Sequence, residues 1–493
     1  MGIIRQQTIK SSIYSYLGVL IGFLSVNILQ PHALSTAQVG LLGILGPYSL
    51  MFAQFAILGF NGTARYFPYF RSEEKRHHGY LFLGIAISLI GMLIYVALAW
   101  LFKNDLISQK GQKITLFADY YWFLVPLTFF TLFFNLFNLY ARMLYNTTSG
   151  TILNEFAKRL FILIPIVLIY FNLIQFSSFM WIWLLANIIP TLLLINRVRR
   201  DDQLFLQPDI PFLDKDIRKK MISISLFAIL TGSAPLIIQN VDTYIIYKKF
   251  GLSETGIYTI AFYFGTIISI PTRSLYNIAF TFVTEAWKTN DLAKIRELYE
   301  KSCITQLLSA LFLFILIWAN VSNIFHILPP DYAAGKYVIL FVGLGFIIDS
   351  AAGINNIVLG TSKYYRYDML FYIFLIGLTI ASNIILVPIY GITGAAMAYA
   401  ITLFAFNLFR YLFILIAFKM QPFNYKSVVG IVAGVAIYYA AIYLPQLSNF
   451  IVDTIMRSIF ITLTFGAAVY YFNLSVDINQ FMDKYLVRLR IKK

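Results

Sequence analysis

The sequence predicts an all-α integral membrane protein with about fourteen transmembrane helices, and three observations carry that prediction. The first is composition: of 493 residues, 59% are hydrophobic and 12% charged, with a mean hydropathy of +0.75. A water-soluble domain carries charge on about a quarter of its residues, so this chain lacks the charge to clothe a surface in water. The second is the length of the apolar runs. A bilayer core of about 30 Å takes about 20 helical residues, and windows of that size fall at 12–30, 40–64, 80–102, 117–140, 152–171, 177–196, 221–247, 256–281, 303–321, 336–357, 369–387, 391–416, 427–444 and 452–472. The third is charge. With both termini on one side and strict alternation, thirty Lys and Arg lie on that side and six on the other, while Arg273 and Arg457 fall within spans. The positive-inside rule makes the richer side cytoplasmic, and one missed or invented crossing would scramble the segregation.

Taken in order, the first span follows Arg5 and Lys10 and reads "SIYSYLGVLIGFLSVNIL". It is too long for the apolar region of a usual signal peptide, and "PHALSTAQ" is a weak cleavage site, so it reads as a crossing. Spans five and six are parted only by "FNLIQFSS", and the last two by "LPQLSNFIVD". Between spans six and seven lies "NRVRRDDQLFLQPDIPFLDKDIRKK", polar and interrupted by Pro208 and Pro211. It has the character of a linker between two bundles. A division into halves also follows from an internal similarity: "ALSTAQVGLLGILGPYSLMFAQFAILGFN" lies beside "GLSETGIYTIAFYFGTIISIPTRSLYNIA", with Gly40 opposite Gly256. Spans one and seven enter from the same side, so the repeat is parallel, and two similar bundles around a midline make a cleft whose opening can alternate.

Polar residues inside such spans mark candidate sites, because hydrocarbon charges several kcal/mol for an unpaired polar group. Arg273, in "SIPTRSLYNIAF", stands about 25 Å inward from Gly256, with Pro271 placed to bend the span. At that depth it is expected to face a central cavity and hold a phosphate or pyrophosphate. Arg65 stands about 38 Å from Gly40 along its span, at the inner edge, where it is either a snorkelling anchor or an anion contact. In "QNVDTYIIYKKFG", Asn240 and Asp242 come about 30 Å along span seven, near the outer rim, and are expected to form a water-solvated, cavity-facing cluster. Asp349, about 20 Å past Lys336, is the most central acid. A carboxyl there can take up a proton or a sodium ion during a cycle, or make a structural bond to Ser350 or Asn355. Glu155, Lys158 and Arg159, spaced i, i+3, i+4, read as a local salt bridge at the inner start of span five; Arg457 and Asp453 sit at an outer end and receive no chemistry.

Much else is excluded. The single cysteine, Cys303, precludes an intramolecular disulfide, and the four histidines show no metal-ligand spacing. No nucleophile, acid–base pair or Gly-rich phosphate loop emerges, so no metal, no cofactor and no covalent chemistry are expected, and direct ATP-driven pumping would need another subunit. The net charge of +16 is mostly orientation, with contact to anionic lipid as a by-product and no nucleic-acid partner.

Several stretches carry a family resemblance: "GFNGTARYFPYF" at 59–70, "GLSETGIYTIAFYFGTI" at 251–267 with "PTRSLYNIAF" at 271–280, "NNIVLGTSKYYRYD" at 355–368 and "PIYGITGAAMAYAIT" at 388–402. With them the chain resembles polysaccharide or lipid-linked oligosaccharide flippases of the Wzx type, in the multidrug/oligosaccharidyl-lipid/polysaccharide (MOP) exporter superfamily. The resemblance implies a V-shaped pair of six-helix bundles: an N-terminal bundle at 1–200, a cytoplasmic linker at 201–220, a C-terminal bundle at 221–420, and two further helices with a basic tail at 421–493. It implies translocation of a polyprenyl-diphosphate-linked oligosaccharide across a bacterial inner membrane, both termini cytoplasmic, by a monomer serving a polysaccharide polymerase and glycosyltransferases. Basic residues in the cavity of that family suit Arg273 and Arg65, although the midline of the first half has no Arg or Lys above Arg65. The rival readings are a cation-coupled drug exporter of the MATE type, whose site would favour acids and aromatics over Arg273; a lipid II flippase; and, from another class, a membrane-embedded polysaccharide polymerase, which would be expected to place its site in a large outer loop.

Overall fold

The computed structural model describes residues 2–108, 116–209 and 211–488, with side chains described except at 2–12, 273–274, 277–278 and 485–488. Every regular element among them is helical. Eleven helices are by themselves long and apolar enough to cross a membrane, and three local features account for the remaining crossings. The 54-residue helical stretch Tyr365–Phe418 reverses at Gly391, where φ 60 and ψ −139 break the helix, so it is two crossings. Span five runs from Thr148 to Tyr170 but is interrupted by a π turn at Ile152–Ala157. Span eight is interrupted by a 3₁₀ turn at Ile267–Ser269, directly before Pro271. The proline ring removes an amide donor and crowds the carbonyl four residues back, which is the bend the sequence anticipates.

The chain forms two compact units, Met1–Gly256 and Ile257–Lys493. The first holds α1 (Gly2–Phe23), α2 (Thr36–Ala56), α3 (Tyr80–Leu101), α4 (Leu124–Met143), α5 (Lys158–Tyr170), α6 (Phe176–Arg200) and α7 (Lys215–Phe250). Helix α1 continues through a π turn at Leu24–Leu29 to Ala33, and Ser35 then caps α2 with a reciprocal capping box to Gln38. Helix α7, which the sequence grouped with the second bundle, packs on α2 and on the 3₁₀ segment Phe60–Tyr66. Glycine makes that contact. Gly59, at φ 72, has no room for a Cβ against the Ser225 carbonyl, and at Gly62 a Cβ would come within 2.6 Å of Ala228. The motif "GFNGTARYFPYF" is therefore a helix-ending, close-packing device. Its aromatics, Phe60, Phe67 and Phe70, join Tyr80, Phe137 and Tyr140 in a buried core.

The linker is docked rather than loose. His77 and His78 are buried. His77 Nε2 lies 2.9 Å from Gln203 Oε1, His78 Nδ1 lies 2.7 Å from Asp209 Oδ2, and the His78 ring stacks on Phe212 at 3.7 Å.

The second unit contains most of α8 (Leu252–Thr266), then α9 (Ile270–Lys288), α10 (Leu292–Ala319), α11 (Lys336–Ala351), α12 (365–390), α13 (392–418), α14 (Tyr425–Ile442), α15 (Phe450–Tyr471) and α16 (Val476–Arg488). The hairpin of α14 and α15 packs on α10 through Leu308, Leu311, Ile315, Ala441, Ile461 and Phe465. The turn between α14 and α15 is fixed by Arg457, which donates to Asp453 at 2.7 Å and to the Leu444 carbonyl at 3.2 Å. Cys303 is buried in the core with Tyr299 and Val358.

Candidate functional site

The second unit carries a polar network across its spans. Asp349, two residues before the end of α11, accepts a hydrogen bond from Asn407 Nδ2 on α13 at 2.9 Å. Asn407 Oδ1 in turn accepts from Asn355 Nδ2 at 2.9 Å. Asn355 is thus linked to Asp349 through Asn407, a relay the sequence did not show. One turn further along α13, Arg410 donates Nε and Nη2 to the two oxygens of Asp368 on α12, at 2.7 and 3.0 Å, and Nη2 to Tyr372 Oη at 3.3 Å. The Phe406 ring lies 3.6 Å from the guanidinium carbon. The Arg410 and Asp368 side chains are only 5% and 15% exposed, so this is a structural pair, held by a bidentate fork and a cation–π contact.

Arg410 is buried inside α13. The available signal in the sequence was an acid near the start of one span and a base at similar depth near the end of the next. Arg410 is close enough to Asp349 to act on it electrostatically. With both acids ionised, two carboxylates share one guanidinium, and the network carries one net negative charge.

Helix α9 borders the same network. Thr272 Oγ1 lies 3.2 Å from Ser350 Oγ, and Tyr276 Oη donates to the Gly353 carbonyl at 3.3 Å. Arg273 stands between these residues in the first turn of α9; its side chain lies outside the described ones.

In the first unit the predicted residues do not gather. Arg65 is exposed at the end of the 3₁₀ segment Phe60–Tyr66. Asn240 turns its amide onto its own helix, donating to the Leu236 carbonyl at 2.7 Å. Asp242 is 0% exposed, so it is enclosed by protein where water had been expected to solvate it. Two residues apart on a helix, the two side chains point in different directions, and no water-lined cluster forms. Lys248 instead ties down the segment after α3, donating to the Ser108 carbonyl at 2.9 Å.

Two units built from helix-only spans that are interrupted at defined turns form a fold also found in solved membrane transporters. The structure is similar to "Lipid II flippase MurJ, inward closed conformation", with a TM-score of 0.75 at 14% identity over 94% of this chain and 99% of that one. It is also similar to an inward-facing multidrug resistance MATE family transporter, with a TM-score of 0.61 at 16% identity over 82% of this chain and 94% of that one. A MOP superfamily transporter from Pyrococcus furiosus, whose binding pocket is described as having reversed polarity, gives a TM-score of 0.56 at 13% identity over 84% of this chain and 95% of that one. No protein-family model matches the sequence, and no curated protein does.

Proposed function

We propose that the chain flips a polyprenyl-diphosphate-linked oligosaccharide from the cytoplasmic to the outer leaflet of a bacterial inner membrane, by alternating access and without covalent chemistry, for cell-surface polysaccharide biosynthesis. The observation that carries this reading is the extent of the structural likeness. The flippase similarity takes in 94% of the chain, against 82% and 84% for the two other transporters. A chain with a hairpin such as α14 and α15 appended to twelve spans is expected to show that difference. Arg273 at depth adds to it, since a cation inside a span suits an anionic cargo better than a cationic drug.

The physics of the task agrees. A sugar diphosphate faces a prohibitive desolvation barrier in hydrocarbon, while a polyprenyl tail does not. Polar side chains in an enclosed path can replace the headgroup's water while the tail stays in lipid. Arg273 would hold the diphosphate, with Arg65 at the inner mouth. Asp349 would take up one proton or sodium ion, because the network it shares with Asp368 and Arg410 is one positive charge short of neutrality; that uptake supplies the energy that the lack of an ATP-binding loop leaves unassigned. Both termini would be cytoplasmic and the monomer sufficient, with glycosyltransferases supplying the cargo and a polymerase consuming it.

Lipid II is the second reading, favoured by the same likeness, because its headgroup is also a polyprenyl-linked diphosphate sugar. The test offers both lipids, labelled on the headgroup, to the protein in proteoliposomes. Preferential movement of the oligosaccharide lipid, reduced at least about tenfold in Arg273→Ala with one charge-assisted contact removed, is the expected result. Preference for lipid II would replace the cargo, and equal rates in wild type and variant would remove Arg273 from the path.

A further inference from the structure

Glu155, Lys158 and Arg159 share one helical segment, which begins at Thr148 and ends at Tyr170 and puts Lys158 and Arg159 about 15 Å from either end of the helix. Arg159 Nη2 donates to Glu155 Oε2 at 3.2 Å, and Asn154 Nδ2 donates to the other carboxylate oxygen at 3.0 Å. Lys158 is partly buried and, among the described residues, makes no ion pair within 4.0 Å. One carboxylate facing two cations leaves a net positive charge there.

The surroundings are built to admit this charge. On α1, a Cβ at Gly18 would collide with the Glu155 carbonyl, and one at Gly22 would come within 3.0 Å of Arg159 Nη1 and 3.1 Å of its Cδ. Both facing elements carry a π turn, Ile152–Ala157 just before the pair and Leu24–Leu29 just after Gly22, and such turns concentrate at functional sites. The second π turn packs on α5 and contains Asn27, which is 1% exposed with its Nδ2 unpartnered. A buried amide donor without an acceptor awaits one.

The Glu155–Arg159 bond differs from the Arg410–Asp368 fork. It is a single contact at 3.2 Å with side chains 35% and 27% exposed, whereas the fork makes two contacts at 2.7 and 3.0 Å in deeper burial. A diphosphate offers more charge and more acceptor oxygens than one carboxylate, and can take both cations at once. We propose that Lys158 and Arg159, with the Asn27 amide on the facing turn, form an anion site for the diphosphate of the cargo, and that Glu155 is an internal counterion that the diphosphate displaces and that re-forms the bond on release. This rests on the proposed function and gives the first unit two cations in addition to Arg65 to meet an anionic headgroup.

The test uses the full chain in phosphatidylcholine nanodiscs with farnesyl diphosphate as probe and inorganic pyrophosphate as competitor. Lys158→Gln with Arg159→Gln is expected to raise Kd about tenfold or more, Glu155→Gln to lower it, and pyrophosphate to compete. A folded double variant with unchanged Kd, or a wild type that does not bind the probe, overturns the site. So does binding that pyrophosphate does not relieve, which would mean that the tail alone is bound. If the double variant does not fold, Glu155→Gln decides: a merely structural bridge predicts a lower Tm with no tighter binding, and that result overturns the proposal. Flipping assays on the same variants separate the two readings. Flipping by wild type with binding indifferent to the pair discards the site alone; pair-dependent binding without flipping discards the transport function and leaves the site.

Discussion

At the scale of single residues, the ion pairs within the spans sort by geometry. The bidentate Arg410–Asp368 pair, 5% and 15% exposed, is structural. Removing one partner strands the other charge at a cost of about 3–5 kcal/mol. Arg410→Met is therefore expected to lower the melting temperature sharply, and Arg410→Met with Asp368→Leu to recover most of the loss; thermal unfolding in detergent checks both. Asp349 is held by one neutral amide, that of Asn407, which leaves its charge free to be neutralised by an incoming cation. Asp349→Asn keeps the hydrogen-bonding shape and removes the charge. It is expected to abolish stimulation of flipping by an imposed proton or sodium gradient while downhill movement persists, and stimulation that survives in the variant would take Asp349 out of the coupling.

At the scale of elements, the motifs that carry the family resemblance prove to be mostly about backbone. "PIYGITGAAMAYAIT" is the reversal between α12 and α13. Gly391, at φ 60 and ψ −139, has nothing within 4 Å of a would-be Cβ. Gly391→Ala should cost about 1–3 kcal/mol from backbone strain alone, with no clash to relieve by trimming neighbours. Gly40 and Gly256, aligned as repeat partners in the sequence, touch: a Cβ at Gly40 would lie 3.0 Å from the Gly256 nitrogen and one at Gly256 2.9 Å from the Gly40 nitrogen, and each would also clash with a backbone carbonyl. Because backbone cannot step aside, Gly256→Val is expected to destabilise by more than the usual overpacking penalty of about 1–3 kcal/mol, measured by thermal unfolding. Here the limits of sequence reading are physical. Hydropathy and charge locate a crossing wherever its apolar run is long, including spans five and eight despite their internal turns. They do not resolve where a helix begins: the apolar run starts near Ile152, whereas the helical segment starts at Thr148.

At the scale of the whole molecule, composition and the length of the apolar runs were enough for an all-helical membrane protein, because the bilayer admits few alternatives; the two-bundle arrangement came from the resemblance. The sites were less legible, since they depend on contacts between residues far apart in the chain. Asp349 could be singled out by depth alone; its bond to Asn407 and the proximity of Arg410 could not. Asp242, placed by length at a wet outer rim, is enclosed because neighbouring helices cover it, which one-dimensional depth cannot reveal. The account's central claim is that the chain carries a diphosphate headgroup through the membrane with its tail in lipid and its bonds intact. The most direct measurement reconstitutes the protein in liposomes with a headgroup-labelled polyprenyl diphosphate oligosaccharide, follows access of an impermeant quencher to the label, and recovers the lipid afterwards. The account predicts exchange between leaflets well above that in protein-free vesicles, with the lipid recovered unchanged. Exchange no faster than in empty vesicles, with the protein correctly inserted, or recovery of cleaved or elongated lipid, would contradict it.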